Sequence, residues 1–430
     1  MRQPASALAG LRFASFFALL FALGVSGPLR ADESIPGRTV ASLLDHARQN
    51  NPEFAAMRHE ADAAGERVTP AGALPDPRFR IELMDITRMG EQNATLLPGR
   101  VGSTKYTITQ ELPWYGKRDL KREIAELDAD GATGRARGAW AEIAARLKAG
   151  HAQWYLLQRN AQVTREILDL MGRLEKVAQA RYAGGLAMQQ DVIRAQVEQT
   201  GMRNDLIMLE NESAMLRARI NMLLGRSAGA PLAVPEGLPD LPTPARLDYV
   251  TLEERVRARN PRLFADDAAI RAAEKKRDLT YKERYPDFML GVTPVQYQRS
   301  IKEWQLMVEV NIPLQQSSRR AMERESEAML AASRARKEAT ANAVLSELAE
   351  NLSGIDAARR TEQLAASSLL PQAELTFQSA LAAYENGKAD FAMLIEAQQQ
   401  IRKARLSQHK AQAEAHVRLA EIERLLGEEL

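Results

Sequence analysis

The 430 residues contain no cysteine. That excludes disulfides, cysteine–zinc sites, iron–sulfur clusters, thiol nucleophiles and an acylated lipoprotein cysteine. Aromatic residues make up only 5% of the chain, beside abundant Ala, Leu, Glu, Arg and Gln. This is the composition of long helices rather than of a compact mixed fold. Neither sign of charge dominates, with 58 Lys and Arg against 56 Asp and Glu. The basic surplus expected of a nucleic-acid binder is therefore missing. Beyond the first thirty residues no stretch is apolar enough to cross a bilayer as a helix, and mean hydropathy is −0.35. Any membrane insertion of the remaining chain must use strands.

The one long apolar run, Phe13 to Val25, follows Arg2 and Arg12 and precedes Ser26-Gly27-Pro28. A charged start, an apolar middle and a small-residue exit predict a secretory signal peptide over residues 1–31, cut after Ala31. The run is shorter than the ~20 residues of a spanning helix. Its removal takes Arg2, Arg12 and Arg30 and no acid, leaving 55 basic against 56 acidic side chains.

Beyond residue 31 the chain is a pattern written twice. Asn51-Pro52 returns as Asn260-Pro261, and Pro77 before Phe79 returns as Pro286 before Phe288. Leu112-Pro113 returns as Ile312-Pro313, Tyr182 with Gly185 as Tyr384 with Gly387, and Leu224-Gly225 as Leu426-Gly427. A period of roughly 200 residues is a duplication rather than a solenoid. The copies are predicted over 32–230 and 247–430. The linker 231–246 between them, with Pro231, Pro235, Pro239, Pro242 and Pro244, is too proline-rich for helix or central strand.

Each copy contains two segments with period-2 alternation, which marks a strand with one apolar and one polar face. Phe79, Ile81 and Leu83 lead, then Tyr106, Ile108 and Leu112. In the second copy these are Phe288, Leu290 and Val292, then Trp304, Leu306, Val308, Val310 and Ile312. The predicted strands are about 78–88, 103–113, 287–297 and 303–313. About ten residues suits a tilted transmembrane strand, although a half-buried hairpin in a soluble domain shows the same pattern. Four strands cannot close a barrel, and an open edge cannot face lipid. If they span a membrane the chain must oligomerise, and twelve strands from a trimer leave an open lumen where eight from a dimer would not. Tyr106, Trp114 and Trp304 are candidate anchors at the membrane interface.

No proline interrupts Trp114 to Ala230. Long helices are predicted over 117–182 and 188–224, the first about 100 Å long at ~1.5 Å per residue. Met202, Leu206, Leu209, Ser213, Leu216, Ile220 and Leu223 form a heptad seam, so the two pair as an antiparallel coiled coil. The second copy repeats this over 315–384, with a kink at Pro371, and 389–426. The fold class is mainly α with a small β part.

The order Asn-Pro, strand pair, long helix, Tyr-x-x-Gly turn and terminal Leu-Gly, present twice over nearly all of 38–430, resembles the TolC-type outer-membrane efflux family. The run Glu111-Leu112-Pro113-Trp114-Tyr115-Gly116-Lys117-Arg118 is similar to the Gly-Lys-Arg start found in its CzcC-like heavy-metal branch. The resemblance implies a homotrimer in the outer membrane of a Gram-negative bacterium, with a twelve-stranded β-barrel and a long periplasmic α-barrel. Its partners would be a periplasmic membrane-fusion adaptor and an inner-membrane pump of RND type. It further implies that the helix-to-helix turns dock the adaptor, which singles out Arg181, Gly185, Leu186, Gly387 and Lys388. Asp191 matches an acidic position that holds the family's closed aperture shut against the tyrosine found here as Tyr384. Glu396 matches a position in an acidic ring; Met393 departs from the family's other ring. A ring of carboxylates in a narrow pore attracts cations, whereas a carboxylate on a solvated helix face does nothing of the kind.

No cofactor and no metal ligation by the chain itself is expected. Of His46, His59, His151, His409 and His416, only the last two are near one another in sequence, and seven residues on a helix is ~10 Å, too far to share one ion. Phosphate loops, nucleophile elbows and zinc motifs are absent from the sequence, so no enzyme activity is expected. The residues leave two alternatives to a heavy-metal efflux duct open. One is a periplasmic coiled-coil adaptor or scaffold; the other is a drug-efflux or type I secretion duct of the same fold.

Overall fold

The repeat landmarks are the joints of the structure. Asn51 caps helix α2 (Pro52–Glu66) by accepting from the Phe54 N–H at 2.8 Å, and its amide donates to the carbonyl of Leu223 at 2.7 Å. Asn260 caps α7 (Pro261–Lys282) in the same way and donates to Leu425 at 2.7 Å. One side chain thus starts a helix and ties it to the end of another; proline follows because the first helical N–H needs no partner. Gly225 and Gly427 end those other helices in the left-handed region, at φ 68° and 70°. A side chain on Gly225 would place its Cβ 2.5 Å from the Asn50 carbonyl oxygen. Asn-Pro and Leu-Gly recur together because they meet in space.

The computed structural model describes residues 35–430; the signal peptide expected over 1–31 lies outside them. In chain order the remaining elements of the first copy are α1 (Val40–Asn50), α3 (Val68–Gly72), β1 (Arg78–Met84), β2 (Ser103–Leu112), α4 (Lys117–Ala183) and α5 (Gln189–Leu223). The second copy adds α6 (Tyr249–Arg259), β3 (Asp287–Tyr297), β4 (Ser300–Asn311), α8 (Gln316–Leu364), α9 (Leu370–Glu385) and α10 (Phe391–Leu426). The main departures from the predicted bounds have local causes. β1 stops at Met84, because Asp85 turns the chain at φ 55° and holds the Met89 N–H with its carboxylate. β4 begins three residues early, since Gln298 at φ 54° makes a tight turn out of β3. The helix expected over 315–384 is interrupted by a π-helical turn, Ala365–Leu369. Pro371 has no N–H for the preceding turn, and the widened turn absorbs that loss.

The four strands form one antiparallel sheet in the order β1-β2-β3-β4. Its register sets Phe79, Ile108, Val292 and Leu306 in one row across all four strands, and all four are exposed. The opposite face is polar: Thr107 and Thr293 share a hydrogen bond of 2.9 Å, with Arg80 and Gln305 beside them in register. β1 and β4 are left as free edges. Among the described residues no helix is long and apolar enough to cross a membrane.

The long helices lie side by side. α4 packs along α5 and α10, and α10 along α8 and α9, so α5 and the α8–α9 rod form the two lateral edges. Leu216, Ile220 and Leu223 of the heptad seam are buried. The duplication extends to the cores. Leu43, Ile143, Leu147, Ile220, Leu223 and Leu224 of the first copy occupy the places of Leu252, Val344, Leu348, Ile422, Leu425 and Leu426 in the second.

Sheet and rod are joined through the Gly-Lys-Arg run. Gly116, at φ 78°, lets the chain turn into α4. The buried Lys117 ammonium pairs with Asp287 at 2.8 Å and donates to the Tyr285 carbonyl at 3.0 Å. Arg118 donates to the carbonyl of Gly72, the end of α3. Trp114 stacks on Tyr285, centroids 5.2 Å apart, so this expected membrane anchor packs inside the junction, whereas Trp304 is exposed on the sheet.

Candidate functional site

At the end of the rods far from the sheet, two hairpins turn back on themselves by the same backbone device. The Leu186 N–H reaches the Arg181 carbonyl at 2.8 Å, and the Lys388 N–H reaches that of Ala383 at 2.8 Å. Gly185 and Gly387 supply the left-handed residue, at φ 72° and 71°. Helices commonly end this way because the orphan carbonyls of the last turn find donors in the reversing chain.

Side chains then tie the hairpins together. Arg181 of the first donates to the Glu385 carbonyl of the second at 2.7 Å, and its guanidinium lies 5.0 Å from the centre of the Tyr384 ring. Arg181, one of the residues expected to dock the adaptor, is half-buried and ties the two hairpins together. Tyr384 is 3% exposed and packs against Phe391 with ring centroids 5.3 Å apart. Arg194 and Asp390 complete the bridge at 3.8 Å.

Asp191 joins this cluster, 8% exposed beside Tyr384. Burial, then the charge of Asp390, pushes its carboxyl above the usual range; Arg194, Arg181 and the Tyr384 hydroxyl pull the other way without prevailing. The same burial and the Asp191 charge push the Tyr384 phenol up. The two groups sense each other, yet the buried hydroxyl makes no hydrogen bond of full geometry. Glu396 stands apart, exposed on the α10 face that also carries Met393. Leu186, Gly185, Gly387 and Lys388 are exposed at the extremity.

Three members of the cluster, Phe391, Arg194 and Asp390, were not among the residues the sequence singled out. Phe391 and Arg194 carry no motif. The only available signal was Asp390 ahead of an apolar helix start, the pattern of a capping residue; its carboxylate does accept from the Ala392 N–H.

Comparison with known proteins fits this geometry. Residues 43–226 and 252–428 match the family described as outer membrane efflux protein, one segment for each repeat. The cobalt-zinc-cadmium resistance protein CzcC of Cupriavidus metallidurans is 22% identical over 408 residues, 93% of this chain and 92% of that one. The crystal structure of CusC superposes with a TM-score of 0.79 at 16% identity, covering 91% of this chain and 92% of the other. The outer membrane protein VceC of Vibrio cholerae gives 0.77 at 16% identity, covering 91% and 96%. The adaptor alternative falls with these findings and with the free-edged amphipathic sheet. The chain belongs to the outer membrane efflux protein family and has the TolC-type channel fold.

Proposed function

We propose that three copies of the chain close into a duct that exports divalent heavy-metal cations, passed on by an inner-membrane RND-type pump through a membrane-fusion adaptor seated on the tips. The observation that carries the duct is the four-stranded sheet, apolar outward, polar inward and unpaired at β1 and β4. Free edges in lipid cost several kcal/mol per orphaned group, so β4 of one copy pairs with β1 of the next until twelve strands close. The rods support the same closure. Val197 and Met208 are exposed on the edge helix α5, and Leu375 and Leu364 on the other edge at matching heights above the tips. The metal cargo rests on the near full-length similarity to CzcC and on Glu396, which three-fold symmetry turns into a cation-attracting ring.

Adaptor docking falls to the exposed extremity: Leu186, Lys388 and the two turn glycines, with Arg181 acting behind them. The test is deletion and complementation. Loss of the gene lowers tolerance to zinc, cobalt or cadmium, and the intact gene restores it. A change in drug or detergent sensitivity alone overturns the cargo. Bulky replacement of Gly185 or Gly387 weakens export while trimers still form; unaffected export in both variants removes the docking assignment. Extraction without detergent, or a monomer in detergent, overturns the duct.

A further inference from the structure

Nearest the sheet the helices pack in a fixed order, α2 on α4, α4 on α7 and α7 on α8, so α2 and α8 are the outer two. The middle contact joins the first repeat to the second. Its two members have counterparts on the outside. Lys275 of α7 and Glu66 of α2 each stand fifteen residues after the capping asparagine of their helix. Glu123 of α4 and Arg324 of α8 each stand twenty residues before an equivalent core residue, Ile143 and Val344. The contact of α4 with α7 is therefore a template for α8 of one copy against α2 of another.

Two features hold the template together. The Lys275 ammonium lies 2.7 Å from the Glu123 carboxylate as an ion pair. Bulk is divided unevenly: Gly134 is so close to α7 that a Cβ there would sit 2.9 Å from the Phe264 ring and 3.1 Å from the Ala265 Cβ. At the outer helices both features survive by exchange. Arg324 stands where α4 has Glu123, and Glu66 where α7 has Lys275, so the charges stay opposite with their signs reversed. Ala335 stands where α4 has Gly134, and Ala55 where α7 has Phe264, so a methyl gained on one side meets a ring lost on the other. Ala56 matches Ala265. All five of these outer residues are exposed, and among the described residues neither Arg324 nor Glu66 has an ion-pair partner. The weaker pair of Asp128 with Lys276, at 3.3 Å, is not kept; its counterparts are Met329 and Arg67.

Reversed signs also bar the wrong contacts. Another copy's α2 offered to the α4 face would set Glu66 against Glu123, and its α7 offered to the free face of α8 would set Lys275 against Arg324. Like charges brought together discriminate against such pairings.

We propose that α8 of each copy takes α2 of the next in the register that α4 takes α7, with Arg324 paired to Glu66 of the next copy and Ala335 set against its Ala55 and Ala56. This rests on the closed trimer proposed above and adds the register and the charge code of its seams.

Because the chain has no cysteine, an introduced pair reports alone. The template brings the counterparts of Ala56 and Ala335 near the ~3.5–4.5 Å between Cβ atoms that a disulfide spans. Oxidation of the full-length Ala56→Cys/Ala335→Cys protein in outer membranes is expected to give a covalent trimer that a reductant resolves. Ala56→Cys/Met329→Cys, shifted by six residues or about 9 Å along α8, stays monomeric on the same denaturing gel. Glu66→Arg lowers the temperature at which the detergent-extracted trimer dissociates, and Glu66→Arg/Arg324→Glu restores it. A trimer that forms without a covalent product from the Ala56 and Ala335 pair overturns the proposal, as does a charge exchange no more stable than Glu66→Arg alone. Should the cysteine variants fail to assemble, the charge exchange decides. A parent protein that is monomeric in detergent overturns instead the duct on which the proposal rests.

Discussion

The tip hairpins of the two repeats share a backbone and invert their side chains. Tyr182 and Tyr384 hold equivalent places, as do Asp191 and Met393. In the first hairpin the tyrosine is 48% exposed and the acid buried; in the second the tyrosine is buried and the methionine 57% exposed. The second hairpin is therefore an anchor, its Tyr384 and Phe391 set into the core that Ile167, Met171 and Leu174 of α4 supply. The first presents Tyr182, Leu186 and Met188 to the surroundings. The two turns share one backbone device, yet one sets its tyrosine into the core and the other leaves it exposed.

The largest expected consequence is an asymmetry between the tyrosines. Tyr384→Ala removes a buried ring together with its contacts to Phe391 and Arg181, and is expected to cost about 3–4 kcal/mol of tip stability. Tyr182→Ala, at an exposed position, is expected to stay within about 0.5 kcal/mol. Limited proteolysis at the tips and thermal melting measure both, and equal effects would erase the distinction between anchor and display. Adaptor coupling should show the reverse order, with Tyr182→Ala the more damaging of the two.

A second asymmetry concerns the joints where each repeat closes. Gly225 and Gly427 share the left-handed backbone, so Ala at either costs roughly 1–2 kcal/mol for conformation alone. Their surroundings differ. A Cβ at Gly225 meets the Asn50 carbonyl oxygen at 2.5 Å, whereas one at Gly427 meets Pro261 ring carbons at 3.1 Å. A backbone carbonyl held by a helix end cannot withdraw, and a proline ring can shift slightly. Gly225→Ala is expected to destabilise by about 3 kcal/mol and Gly427→Ala by about half as much, read from chemical denaturation of the trimer.

The duplication, the strand faces and the coiled-coil seam were legible in the sequence because each is periodic or written twice. Asn51, Asn260, Gly225 and Gly427 were legible as landmarks for the same reason, although their shared purpose appears only when the helix ends meet. What stayed hidden depends on one copy differing from the other. Nothing in Tyr182 and Tyr384 says which one turns inward; that is set by Phe391, where the first repeat has Gln189. The π-helical turn was visible only as its cause, Pro371, and the tie from Arg181 to the other hairpin was not legible because its partner is a backbone carbonyl, that of Glu385.

The smallest effect separates the two acid positions. Asp191 has its carboxyl pushed above the ordinary range by burial and by Asp390. A group whose native pKa exceeds its unfolded one binds protons preferentially in the folded tip, so stability rises as pH falls through the native value and levels off below the unfolded one. Asp191→Asn removes the charge while keeping a hydrogen-bonding side chain beside Tyr384. It is expected to tighten the tip at neutral pH by no more than about 1 kcal/mol and to flatten the pH profile. Met393→Asp, the same acid at the exposed equivalent position, should change stability by less than about 0.5 kcal/mol. Hydrogen exchange of the tip amides as a function of pH distinguishes the cases. If Asp191→Asn loosens the tip instead, the attraction of the carboxylate for Arg181, Arg194 and the Tyr384 hydroxyl outweighs its burial, and the first hairpin is an anchor as well.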